Sequence, residues 1–121
     1  MIMKKYFCPS DNLIYDNKMV LDVKTVKLES GQKVLERGTV ISFSDIDGNG
    51  KIYDGTDQPN CILCDDVDTG ETAGQTVIGA AYRTGHFTRQ ALITGDDTDL
   101  SAEHISELEK LGIYLSNMVQ A

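Results

Sequence analysis

The stretch Val77-Ile-Gly-Ala-Ala-Tyr-Arg-Thr-Gly-His-Phe-Thr-Arg-Gln-Ala-Leu-Ile-Thr-Gly-Asp-Asp-Thr-Asp-Leu-Ser-Ala-Glu-His-Ile-Ser-Glu-Leu-Glu-Lys-Leu-Gly-Ile-Tyr-Leu-Ser-Asn-Met118 decides the fold. The apolar run Val77 to Tyr82, bounded by Thr76 and the turn signal Arg83-Thr84-Gly85, reads as a strand, and Gly79 within it marks a bulge or a close backbone approach. Phe87 to Ile93 is a weaker extended segment. A helix follows. Ser101 is its N-cap, since a serine hydroxyl can accept from an unpaired amide of the first turn. Leu100 and Ile105 stand at the spacing of a hydrophobic staple. Ala102, Ile105, Leu108 and Leu111 fall on one face, with Glu103, Glu107, Glu109 and Lys110 on the other. Gly112 supplies a left-handed stop, and Ile113 sits where the apolar contact of a Schellman motif belongs. From Ile113 the residues alternate again, so the chain leaves as a strand. The pattern is a small β domain with one short helix as a lid.

Working outward, the 121 residues are 40% hydrophobic, enough for one domain with one core. No run of about 18 apolar residues is available to span a membrane. The start, Met1 to Phe7, has the look of a signal n-region, but Asp11 and Asn12 interrupt it before an apolar stretch forms, and secretion is not expected. The net charge of −8 is a poor match for nucleic acid, whose phosphates call for Lys and Arg. That charge is unevenly placed. Residues 1–20 carry Lys4, Lys5 and Lys18 against Asp11 and Asp16, so the acidic excess lies in the rest of the chain. Cys8, Cys61 and Cys64 cannot all pair within one chain, and a reducing compartment is expected.

Residues 1–19 divide from a β-rich body at 20–121. The leader holds Ile2, Tyr6, Phe7, Leu13, Ile14 and Tyr15 without a sustained period. It is a frayed end or edge strand, or an arm that orders on a partner. Ordering about fourteen residues costs on the order of 15–25 kcal/mol of backbone entropy. Scattered contacts would not offset that; strand addition to a partner's sheet edge would.

In the body, Met19 to Leu28 is a strand whose two faces both mix apolar and polar residues. Ser30-Gly31 is a turn, and Val34 to Ile41 reads as strand, tight turn or bulge at Gly38, strand. Asp45, Asp47, Asn49 and Gly50 match the opening of a calcium loop, and Ile52 its apolar position. The closing position is Thr56 where a bidentate Glu belongs, and neither flank is helical. Asp47-Gly48-Asn49-Gly50 also suits a hairpin turn; the hairpin is the preferred reading and a weak calcium site the alternative, so no metal is assigned.

Cys61 and Cys64 could be half a zinc site or a redox pair. Zinc needs further ligands, with only Cys8, His86 and His104 on offer; redox chemistry needs a helix start to activate a thiol. In a strand the two would face opposite sides, as core residues. His86 and His104 have no visible nucleophile or carboxylate companion, and His104 is expected to be solvated. With no phosphate loop, dinucleotide fingerprint or triad, no catalytic residue and no cofactor are assigned.

Taken in order, Leu35-Glu-Arg-Gly-Thr-Val-Ile41, Lys51-Ile-Tyr-Asp-Gly-Thr56, the acidic loop after Ile62, Arg83-Thr-Gly-His-Phe-Thr-Arg-Gln-Ala-Leu-Ile93, and the helix ending in Leu111-Gly-Ile-Tyr-Leu115 resemble the lambda-type head decoration proteins of tailed bacteriophages. The resemblance covers roughly residues 20–119; the leader matches by position alone, and the Asp45–Gly50 turn and the Cys61/Cys64 pair belong to no part of it. It implies a mainly β, barrel-like or tulip-like domain with one helix and a flexible N-terminal arm. It further implies a homotrimer on threefold and quasi-threefold positions of the expanded head, partnered by the major capsid protein. Such a protein would be assembled in the host cytoplasm and would lie on the outer capsid surface of the virion. By position, Ile2, Lys4, Lys5, Tyr6, Phe7, Leu13, Ile14 and Tyr15 would contact the shell. The other classes the sequence allows are a calcium-binding β module on Asp45, Asp47 and Asn49, a small enzyme using a histidine base, and a non-catalytic barrel-like binding domain.

Overall fold

The structure is a computed structural model that describes residues 13–16, 20–43, 48–95 and 98–117. Its strands are β1 (Ile14–Asp16), β2 (Asp22–Glu29), β3 (Val34–Leu35), β4 (Val40–Ser42), β5 (Lys51–Ile52), β6 (Pro59–Leu63), β7 (Val67–Asp68), β8 (Thr76–Thr88) and β9 (Ile113–Ser116); the helix α1 is Ala102–Leu111. The chain is mainly β with a single helix among the described residues, as the sequence indicates.

β8 is the hub. β2 runs antiparallel to it from Asp22↔Thr84 to Glu29↔Thr76. β6 pairs at Ile62↔Tyr82 and Leu63↔Ala81, and β1 at Ile14↔Phe87 and Asp16↔His86. β9 is parallel to the last turn of the strand, from Gly85↔Ile113 to Thr88↔Ser116. β4 lies against β6, and β5 against β4. β3 and β7 form a separate two-stranded sheet. The expected barrel does not close: the main sheet is open, because its two faces are covered by different layers instead of by its own curvature.

Those layers explain the sequence pattern. One cluster, on the side of α1, gathers Leu13, Val40, Tyr53, Ile62, Tyr82, Phe87, Leu108 and Ile113 among others. The second, under the β3–β7 sheet, holds Val26, Leu28, Leu35, Ile41, Cys61, Leu63, Val67 and Ala81. Neighbouring residues such as Val40 and Ile41, or Tyr82 and Ala81, serve opposite faces. A strand buried on both sides reads as a continuous apolar run, which is what Cys61-Ile62-Leu63-Cys64 is. β2 alternates imperfectly because Lys24 lies on the same side as buried Val26 and Leu28, and its ammonium reaches the Asn60 side-chain oxygen at 2.6 Å.

Three local expectations are corrected. Arg83-Thr84-Gly85 is no turn; β8 runs through it. The register shifts there, with Asp22 opposite Thr84 and Val23 opposite Tyr82, so Arg83 is the extra residue of a bulge and its guanidinium pairs with the Asp22 carboxylate. The Gly85 amide donates to the Gly112 carbonyl (3.1 Å), which holds the strand straight onward toward β9. Phe87 to Ile93 is not one extended segment: β8 ends at Thr88, Arg89–Ala91 form a 3-10 turn, and Ile93 makes an isolated bridge to Thr39. In α1 only Leu108 is buried and Ile105 partly so, while Ala102 and Leu111 are exposed, because the helix touches the core through its middle turn.

The caps match their residues. The Ser101 hydroxyl accepts from the His104 amide (3.2 Å), and Gly112 is left-handed (φ 99°), with its amide donating to the Glu109 carbonyl (3.0 Å). Ile113 behind it is fully buried. Gly79 is a close approach and not a bulge. The register is regular at Val26↔Gly79, and a Cβ there would meet Val67 at 2.9 Å.

Candidate functional site

Of the leader residues that the resemblance points to, Ile2, Lys4, Lys5, Tyr6 and Phe7 lie outside the described residues. Leu13, Ile14 and Tyr15 lie inside them and are built into the body. Leu13 is 1% exposed in the core, and its carbonyl accepts from the Thr88 amide at 2.8 Å. Ile14 pairs with Phe87, and the Tyr15 ring sits 4.5 Å from that of His86.

His86 fastens this root. Its Nδ1 lies 3.1 Å from Asp16 Oδ1 on β1, and its Nε2 lies 2.6 Å from Ser116 Oγ on β9. The expectation that His86 lacks companions is therefore corrected: a carboxylate and a hydroxyl reach it from strands remote in sequence. Carboxylate, imidazole and hydroxyl stand in the order of a proton relay. Each bond, however, crosses from one paired strand to another, so the trio ties β1, β8 and β9 together at the point where the leader joins the body. His104 is corrected too. It is half-buried, with Nδ1 2.5 Å from the hydroxyl of buried Tyr53 and the two rings edge to face at 5.3 Å. It pins α1 to the core.

Asp45 and Asp47 lie outside the described residues. Asn49 is inside and its amide donates to Thr76 Oγ1 at 2.8 Å, while β4 and β5 pair antiparallel across the loop as a hairpin requires. Among the described residues no group of three His, Cys, Asp or Glu could hold a metal. Cys61 and Cys64 are free thiols on opposite sides of the sheet, one in each core cluster. Burial pushes the Cys61 thiol up to about 11, and burial with the neighbouring Asp65 charge raises that of Cys64. Both effects disfavour the thiolate that redox or zinc chemistry would use.

The sequence matches the family described as bacteriophage lambda head decoration protein D over residues 2–113. The chain belongs to that family. No curated protein matches it otherwise. As a head decoration protein it has the phage capsid as its partner and the virion as its place. None of its described helices is long and apolar enough to cross a membrane.

The motifs that carry the resemblance have visible jobs in this decoration protein. In Leu35 to Ile41, the chain crosses from the small sheet to the large one. Gly38 makes the turn in the left-handed region (φ 99°), donating to the Leu63 carbonyl at 2.9 Å, and Thr39 Oγ1 donates to the Glu36 carbonyl at 2.6 Å. Arg37 donates to the Cys64 carbonyl (2.9 Å) and the Tyr82 hydroxyl (2.8 Å). In Lys51 to Thr56, Tyr53 is the core anchor under α1, and the Asp54 carboxylate accepts from the Thr56 amide at 3.0 Å, a bond that lowers its pKa. Sequence reasoning missed Asp16 and Ser116, which carry no local motif; only their pairing to His86 through the sheet identifies them.

Proposed function

We propose that this protein binds the expanded phage head as a homotrimer at threefold and quasi-threefold positions, on the outer surface, and stabilises the shell against packaged DNA. It acts without catalysis. The observation that carries this reading is the family match, which runs from residue 2 through the leader and the body as far as Ile113, the first residue of β9. The physics supports it. Residues 1–12 carry Lys4 and Lys5 with Ile2, Tyr6 and Phe7, joined to an acidic body at a root fixed by Leu13 and His86. An apolar, basic segment leaving a rigid body can add as a strand to a shell edge, gaining main-chain hydrogen bonds as its aromatics are buried. Three such arms on one trimer turn weak contacts into avidity. A trimer that binds only the expanded shell shifts the shell's equilibrium toward expansion.

The test is co-sedimentation with expanded and unexpanded shells. The full chain is expected to pellet with expanded shells only, and a variant lacking residues 1–11 to stay in the supernatant while remaining folded. Equal binding of that variant would end the arm reading; no binding by the full chain would end the functional one.

A further inference from the structure

Among the described residues, β2 is an edge strand covered on its outer side at one end only. There the Gly50 amide donates to the Lys27 carbonyl (2.8 Å) and the Glu29 amide donates to the Gly50 carbonyl (2.9 Å). Main-chain groups alternate in direction along a strand, so those of Thr25 and Val23 point outward as those of Lys27 and Glu29 do. Among the described residues nothing bonds to that side of Val23 and Thr25. Val23 is 51% exposed and Val20, just before the strand, 77%. An unpaired, partly apolar edge of this kind is a template for another strand. On the inner face Lys24 walls an open groove of about 440 Å³, across which Leu111 is 46% exposed. The strand carries no negative excess, with Lys24 and Lys27 balancing Asp22 and Glu29, in a chain of net charge −8.

We propose that the β2 edge from Val23 to Lys27 seats a second copy of this chain as an added strand. The proposal rests on the trimer reading above and assigns the surface that builds it. Copies of net charge −8 repel one another. They associate where the surface carries no negative excess and offers bonds that do not depend on charge. The β2 edge offers both: main-chain donors and acceptors of Val23 and Thr25 that no described residue takes up, and a strand in which Lys24 and Lys27 balance Asp22 and Glu29. Alternate side chains of the added strand then meet the Lys24–Leu111 groove. A ring of three needs the seat to be heterologous, with β2 of one copy receiving a different element of the next.

Thr25→Pro removes an outward amide while leaving the β8-facing groups of Lys24 and Val26 intact, a position an edge strand tolerates. Val23→Lys puts a charge on the same edge through an exposed side chain, and keeps the test open should the proline variant not fold. The measurements are mass by light scattering, circular dichroism, and co-sedimentation with expanded shells. The expected result is a trimer mass for the natural chain and a monomer mass for the folded variants, with shell binding weakened. Variants that keep the natural mass overturn the proposal. If they keep it and lose only shell binding, the edge belongs to the shell: this inference falls and the decoration reading stands. A natural chain that is monomeric yet pellets with shells overturns the seat alone, whereas failure of the natural chain to pellet is what counts against decoration.

Discussion

At Gly38 a single residue joins the two sheets. Its φ of 99° lies where a Cβ is strained, and a Cβ built there would stand 3.0 Å from the Ala91 carbonyl oxygen. Gly38→Ala therefore meets strain and a backbone atom at once, and is expected to lose about 1–2 kcal/mol in urea unfolding; an unchanged midpoint would show that the turn readjusts freely. Cys61 gives a pH prediction. Burial holds its thiol protonated up to about 11 in the folded chain, against an ordinary value of 9.0 when unfolded. The folded state thus binds the extra proton between those values, so this contribution is whole below pH 9.0 and is lost as pH rises through about 11. Two units correspond to roughly 2–3 kcal/mol at most. Comparing urea unfolding of the natural chain and Cys61→Ala at pH 8 and pH 11 isolates it: the natural chain should lose more stability on going to high pH, and parallel losses would refute the assignment.

Among the elements, α1 shows which features were legible and which were not. Its ends are local events: Ser101 bonds three residues ahead, Gly112 turns left-handed, and both are visible in the sequence. Ser101→Ala should cost about 1 kcal/mol in thermal or urea unfolding, whereas Ser106→Ala, on the exposed side of the same helix, should cost less; equal losses would mean the cap bond contributes nothing. Which face is buried is a tertiary matter. Ala102 and Leu111 keep helical spacing with Leu108 yet stay exposed, while Leu108 enters the core cluster and Ile105 packs against it. The same division explains Arg83-Thr84-Gly85. The tripeptide has turn chemistry, but β2 on one side and the Gly112 carbonyl at 3.1 Å on the other keep it extended. The opposite facing of Cys61 and Cys64 was readable, because a strand's period of two is local.

Across the whole molecule, the division between arm and body is set by contacts no local reading could find. Leu13 to Asp16 show no period, and their partners lie about seventy positions away in β8. Only there do Leu13 and Tyr15 become the root of the leader, and Asp16 a partner of His86. This separates two truncations that the sequence alone treats alike. Removing residues 1–11 leaves Leu13 in the core and the Asp16–His86–Ser116 link whole, so urea stability is expected to match the natural chain. Removing residues 1–15 deletes the Leu13 side chain, the strand pair Ile14↔Phe87 and the Tyr15 ring against His86. Loss of a buried leucine alone costs about 2–5 kcal/mol, so this shorter chain should unfold at much lower urea or fail to accumulate. Loss of shell binding by the longer truncation would then report on the body's stability, while loss by the shorter one reports on the leader. Should both truncations prove equally stable, Leu13 would not be the anchor that its burial makes it, and the leader would have to be redrawn to include β1.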